Sequence, residues 1–286
     1  MDDHHLSEKF IPVTSVTSGD GQSVTSDIYC LPIQIVNVCY IGNREKSSDW
    51  VLIDAGMPRS ADEIIGTAKE LFGEDVPPKA IVLTHGHFDH VGALIDLVER
   101  WNAPVYAHQL EMPYLTGEKD YPKPDPTVEG GMVAKMAGLF PNQGINLDQH
   151  VHELPSDGSI PHLPGWKWVH TPGHSEGHIS LFREEDRALI AGDAFVTVKQ
   201  ESLYKVITQE KDIHGPPRYF TTDWKAAKQS VEKLASLKPS VAVTGHGLPM
   251  AGEELTDSLN RLVRNFDAIA KPDYGKYVNE PRRRTT

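Results

Sequence analysis

Apolar and polar side chains alternate along this chain in a way that separates short strand-like runs from longer helical ones. Residues 27–41 (DIYCLPIQIVNVCYI) and 50–54 (WVLID) are rich in β-branched and apolar residues, and the intervening GNREKSSD carries turn chemistry, which predicts a hairpin. Ser60 is placed to cap a helix over 61–72, with Asp62 and Glu63 in its first turn and Gly73 at its end. After Pro77 and Pro78, the run Ala80-Ile81-Val82-Leu83 predicts a short buried strand leading straight into THGHFDH. Val91, Leu94, Ile95 and Val98 then recur at helical spacing. Farther on, 166–170, 178–183 and 187–191 predict strands, 223–237 a helix, 240–243 a strand and 252–270 a last helix.

Segment 108–165 breaks this rhythm. It holds YPKPDPTVEGG, a helical stretch near 128–139 and a second loop rich in Gly, Pro and Asn, and it reads as a cap-like insert over a site. The organisation is then an N-terminal arm with the first strand region (1–26), a main domain over 27–270 carrying the insert, and a C-terminal tail (271–286).

Composition narrows the class. The chain has 286 residues, 39% hydrophobic and 24% charged, the balance of a soluble enzyme with room for a sizeable core. Lys+Arg 28 against Asp+Glu 40 leaves a formal charge of −12. Such a surface repels phosphate backbones and anionic lipid, so a small-molecule substrate is expected, and neither nucleic acid nor membrane. The basic run Arg282 to Arg284 reads as a solvated tail. Cys30 and Cys39 cannot make a disulfide framework and read as small buried hydrophobes. MDDHHLSEKF has no apolar signal-like region and no run reaches membrane-span length, which makes the cytoplasm the expected compartment. The oligomeric state is not legible.

Histidine carries the chemistry. THGHFDH supplies His85, His87, Asp89 and His90 within six residues, the first two turned toward one point and the last two toward a neighbouring one. His174 in TPGHSEGH, Asp193 in IAGDA and His246 in VTGHG each follow a strand-like run and have a glycine beside them, which permits a sharp strand-to-loop turn. Imidazole with carboxylate suits Zn, Fe, Mn or Ni better than Ca or Mg, and seven such groups fit two metals sharing a carboxylate. A single histidine is ordinarily a packing or surface residue; seven ligand types in this order are not explained that way. His4, His5, His108, His150, His152, His162, His170 and His214 have no ligand spacing and read as surface or packing residues. Thr84, Thr171 and His178 are candidate outer groups.

With H-x-H-x-D-H at 85–90, TPGH at 171–174, GD at 192–193 and GH at 245–246 in this order, the chain resembles the metallo-β-lactamase fold superfamily over about residues 27–250. The resemblance implies an α/β fold, a four-layer αβ/βα sandwich of two mixed β-sheets flanked by helices. It implies a first metal on His85, His87 and His174, a second on Asp89, His90 and His246, and Asp193 between them. Two divalent ions are expected, zinc first, with iron or manganese as alternatives. Asp89 and Asp193 are the expected catalytic carboxylates, Asp89 orienting the attacking water or carrying its proton. Asp54 matches a position behind the metals, where it would hold a ligand histidine's second nitrogen.

Departures from known patterns narrow the reaction. The secreted zinc β-lactamases match only in part, since one group has Cys at the position of Asp193. The acyl-homoserine lactonases carry a Tyr where this chain has Val196. The Asp193-bridged pattern looks more like glyoxalase II, whose Lys and Tyr find only loose counterparts in Lys199, Tyr204 and Lys205. The expected activity is hydrolysis of a small ester, thioester or lactone. A small-molecule phosphodiesterase and a mononuclear-iron, persulfide-dioxygenase-like oxidoreductase remain alternatives. Tyr114, Tyr121, Phe140 and the 200–220 loop with Tyr204, Arg218 and Tyr219 are the expected pocket walls.

Overall fold

The computed structural model describes residues 13–44 and 49–278. His4, His5, the turn residues 45–48 and the basic run at 282–284 lie outside the described residues. Seven strands form one sheet in chain order: β1 (Gln22–Ser23), β2 (Ile28–Ile33), β3 (Val36–Gly42), β4 (Trp50–Ile53), β5 (Ala80–Val82), β6 (Val105–Ala107) and β7 (Val151–Glu153). Pairing is antiparallel as far as β4 and parallel from β4 to β7. A second sheet places β8 (Trp166–His170), β9 (Ile179–Arg183), β10 (Ala188–Gly192), β11 (Val241–Thr244) and β12 (Met250–Ala251) side by side, with only the β10–β11 pair parallel. The helices are α1 (Ala61–Phe72), α2 (Leu94–Trp101), α3 (Met112–Leu115), α4 (Met132–Met136), α5 (Leu203–Thr208), α6 (Trp224–Ser236), α7 (Gly252–Arg264) and α8 (Phe266–Ile269).

The two-residue period of a strand sorts these side chains into three apolar layers. In β4, Val51 and Ile53 face the second sheet, whereas Trp50 and Leu52 pack with Ile64, Ala68 and Phe72 of α1. In β10, Ala188 and Ile190 face the first sheet, whereas Leu189 and Ala191 pack under Val231 and Leu234 of α6 and Leu255 and Leu259 of α7. Strands buried on both faces read as continuous apolar runs, and helices must cover their outer sides. The outcome is the expected four-layer sandwich. Cys30 and Cys39 pair across β2 and β3 as free, buried thiols in its middle.

Two expectations change. Residues 27–41 are two strands rather than one, reversing at Gln34 and Ile35, where Gln34 takes φ +56°. Two-residue hairpin turns need positive φ and usually announce themselves with Asn or Gly, which Gln-Ile does not. Ser60 does not cap α1 with its side chain; its hydroxyl donates to the Met57 carbonyl at 2.6 Å. The segment 108–165 is anchored in the core, giving β7 to the first sheet and burying Val133, Ala134, Ala137, Ile145 and Leu147. The beginning of the expected tail is tied to it as well: the Tyr277 hydroxyl donates to the Lys123 carbonyl at 2.7 Å and the Asp273 amide to Glu129 at 2.8 Å.

Candidate metal centre

Strands β8, β10 and β11 run in one direction, so the turns after their C-terminal ends share one edge of the second sheet. Those turns carry His174, Asp193 and His246, and the turn after β5 of the first sheet brings His85 to His90 against them. All seven expected ligands meet, each less than a tenth exposed. Three groups have ligand atoms within 4.8 Å of one another: His85 with His87 and His174, His85 with His90 and Asp193, and Asp89 with His90 and His246. Asp193 is the link. Its Oδ2 lies 3.3 Å from His174 Nε2, 3.3 Å from His246 Nε2 and 3.7 Å from His90 Nε2. Asp89 Oδ2 is 3.4 Å from His246 Nε2.

The opposite ring nitrogens are held by neighbours that set each imidazole's orientation. His85 Nδ1 lies 3.1 Å from the Thr84 hydroxyl, His174 Nδ1 3.3 Å from that of Thr221, and His246 Nδ1 2.7 Å from the Ile35 carbonyl. Asp54, expected to hold one of the ligand histidines, holds His90, at 2.9 Å from Nδ1. His178 stands behind the cluster: its Nδ1 meets the Thr171 hydroxyl at 2.9 Å, and its Nε2 accepts the Asp193 amide at 2.9 Å. Asn37 on β3 donates to the Thr244 carbonyl at 2.9 Å and so ties the two sheets together beside His246.

Burial, with the nearby imidazoles, holds His85 and His174 well below the usual histidine range, and it brings His87 to about 3. These rings are therefore neutral, the form that binds metal. Burial works against charge at His90 and His246 too, but Asp54, Asp193 and Asp89 around the first and Asp193 and Asp89 around the second outweigh it and push both up. Burial opposes ionisation of Asp193, yet His246 and His90 keep its carboxyl well below the usual range; at Asp89 burial dominates and raises it.

Among the described residues, His85 Nε2, His90 Nε2 and Asp193 Oδ1 are buried with no hydrogen-bond partner. Unpartnered buried polar atoms are expensive, and here they converge from a nitrogen and oxygen set that borderline divalent metals favour. The residues fit metal ions.

A cavity of about 240 Å³ opens beside His87 and His174. Tyr114 and Tyr121 line it as expected, joined by Phe220, Pro122 and Pro172, with Lys119, Glu176 and Tyr277 also on its wall. The Phe220 ring stacks on His87 at 4.5 Å and 25°. The other expected walls fall elsewhere. Phe140 and Tyr219 pack behind Phe220, Tyr204 is 71% exposed on α5, and Arg218 donates to the carbonyls of Ala270 and Ile269. Sequence reasoning reached the 200–220 loop without singling out Phe220 and missed Glu111, which is fully buried beside the cluster; neither residue carries a local signal, because both arrive from segments without regular periodicity.

The metallo-beta-lactamase superfamily model matches residues 34–246. The chain is 48% identical over 264 residues to "Probable metallo-hydrolase YflN" of Bacillus subtilis, covering 92% of this chain and all of that one. Among solved structures, a B3 metallo-beta-lactamase, BLEG-1, superposes with a TM-score of 0.57 at 25% identity over 81% of this chain and 95% of its own. TTHA1623 in a di-iron-bound form gives 0.51 at 28% identity over 80% and 92%. With the four-layer sandwich and the histidine-aspartate cluster at its edge, these similarities show that the chain belongs to the metallo-beta-lactamase superfamily and is a metallo-hydrolase with a candidate His/Asp metal site.

Proposed function

We propose that this protein is a dinuclear hydrolase of a small ester, thioester or lactone, acting on a free small molecule in the cytoplasm. His85, His87 and His174 would hold one ion, Asp89, His90 and His246 a second, with Asp193 shared and zinc the leading metal. The observation that carries this reading is the placement of Asp193 Oδ2 within 3.3 Å of both His174 Nε2 and His246 Nε2, one from each group. Ions bound there would supply Lewis acidity and lower the pKa of a water toward neutrality.

The chain's own residues do the rest. Asp89 orients the attacking water and takes its proton. Phe220 and Tyr121, both 4.5 Å from the His87 ring, cover that side of the cluster and exclude bulk water. Tyr114, Pro122 and Pro172 form an apolar wall for the acyl group, and the cavity's modest size favours a small one.

Metal content per chain, measured on protein purified without a metal-chelating tag and on its Asp193→Ala variant, tests the reading. Two ions in the wild type and fewer in the variant, with turnover in a panel of esters, thioesters and lactones, is the expected result. A single iron per chain would replace it with the mononuclear oxidoreductase, and no metal after reconstitution would overturn it. A metal-loaded Asp89→Asn variant should lose about 100-fold in kcat, the scale of a proton-transfer residue; unchanged turnover would remove Asp89 from that role.

A further inference from the structure

Glu111 is a fully buried carboxylate for which the proposed chemistry has no use. It lies in the 3₁₀ turn Gln109–Glu111, just after β6, and its two oxygens take four donors from three other segments. Oε1 accepts the Ser175 hydroxyl at 2.6 Å and the Gly177 amide at 3.0 Å. Oε2 accepts the Gly86 amide at 3.0 Å and the Tyr121 hydroxyl, and the Gly86 amide is shared with the Tyr121 oxygen at 2.9 Å. Among the described residues no cation takes part, so the full set of N–H and O–H donors is what offsets the desolvation of a buried anion.

The partners matter more than their number. Gly86 is the residue between His85 and His87, and Ser175 follows His174 directly. One side chain therefore grips both loops that carry the first ligand group, the one after β5 and the one after β8. The approach is close: a Cβ on Gly177 would lie 2.7 Å from Glu111 Cγ, so only glycine fits there. His87 Nδ1 and His174 Nε2, on the two gripped loops, end 2.9 Å apart. Asp89 and His90 of the second group share the loop of Gly86, but that group makes no hydrogen bond to Glu111 among the described residues and has its own supports in Asp54 and the Ile35 carbonyl.

We propose that Glu111 is a positioning residue that clamps the two loops together and sets the approach of His87 to His174, so that it governs metal affinity at the His85/His87/His174 group and not at the Asp89/His90/His246 group. This rests on the reading that the first three histidines hold a metal. Replacing the carboxylate with an amide turns one acceptor into a donor facing donors. One loop then loses its hold while the volume stays the same.

The test is titration of cobalt(II) into the metal-free full-length protein, followed by its visible absorption. His174→Ala identifies which binding event belongs to the first group. In Glu111→Gln that event should weaken at least tenfold, the usual scale for groups that orient ligands, and its absorption should change shape as the ligand geometry loosens. The second event should keep its wild-type affinity. Tyr121→Phe, which leaves Glu111 three donors, should shift the first event in the same direction by less. Wild-type affinity and spectrum in Glu111→Gln would overturn the clamp, as would equal weakening of both events. If Glu111→Gln does not fold, Ser175→Ala and Tyr121→Phe decide: selective weakening of the first event supports the clamp, and no effect in either overturns it. Absence of any cobalt event lost in His174→Ala would instead refute the metal reading itself.

Discussion

Asp54 holds His90 and the start of the histidine loop with one carboxylate. Its Oδ2 lies 2.9 Å from His90 Nδ1 and 2.8 Å from the Thr84 hydroxyl, while Oδ1 accepts the Thr84 amide at 2.7 Å. Asp54 sits at φ +60°, a conformation that Asn also tolerates, so Asp54→Asn keeps the backbone and alters only the acceptor. Its amide must face a donor at Thr84 or ask His90 for the other tautomer, which would place a proton on Nε2, where a metal would bind. Metal affinity at the Asp89/His90/His246 group should fall about 10- to 100-fold. Metal titration of the variant checks this, and wild-type affinity would refute the role.

Gly245 packs directly on the shared aspartate. A Cβ there would come 2.0 Å from Asp193 Oδ1 and 2.9 Å from His90 Cε1. Gly245→Ala should displace Asp193 and lower bound metal below the wild-type stoichiometry, with about 1–3 kcal/mol of overpacking strain. Metal analysis alongside thermal unfolding separates the two effects, and a fully loaded variant would show that Asp193 tolerates displacement.

Tyr114 stacks on Tyr121 with ring centres 3.9 Å apart and faces the cavity, yet touches none of the seven cluster residues through any hydrogen bond among the described residues. Tyr114→Ala should raise KM for the best panel substrate about tenfold with a smaller change in kcat, the mark of lost uniform binding. Metal content should stay at the wild-type value. Steady-state kinetics across the panel read this out; unchanged KM everywhere would place the acyl group elsewhere.

Asp212 gives a pH-dependent test away from the metals. Its carboxylate lies 3.0 Å from His214 Nε2, 3.2 Å from Lys205 Nζ and 2.9 Å from an Arg261 guanidinium nitrogen, tying α5 to α7. Burial raises its pKa, but His214, Lys205 and Arg261 outweigh that and bring it to about 2. A carboxyl lowered on folding stabilises the native state above its unfolded value near 3.9, and the contribution fades as pH falls through the folded value. After allowance for solvent screening the effect is about 1 kcal/mol. Asp212→Asn should therefore lower Tm by roughly 2–4 °C at pH 7, and the gap should close between pH 4 and pH 2. A gap that persists at pH 2 would contradict the assignment.

The candidate ligands and much of the fold were legible from local pattern. His85 to Asp89 and His90 sit in one six-residue run, His174, Asp193 and His246 each follow a buried strand, and β5, β8, β10, β11, α1 and α6 fall close to where periodicity expects them. These features repeat over a few residues, so a reading confined to neighbours along the chain finds them. The contacts that no local pattern announces lie at longer range. Glu111 meets Gly86 and Gly177 across 25 and 66 residues, Asp54 meets His90 across 36, and Asn37 reaches Thr244 across 207. The turn at Gln34, the anchoring of 108–165 and the wall at Phe220 belong with them. Which donor chemistry the protein carries, and at which strand ends, could be read along the chain because both depend on short-range order. Only folding decided which carboxylate orients which histidine, because the partners of a buried polar group are whatever the packing of distant segments brings within about 3 Å.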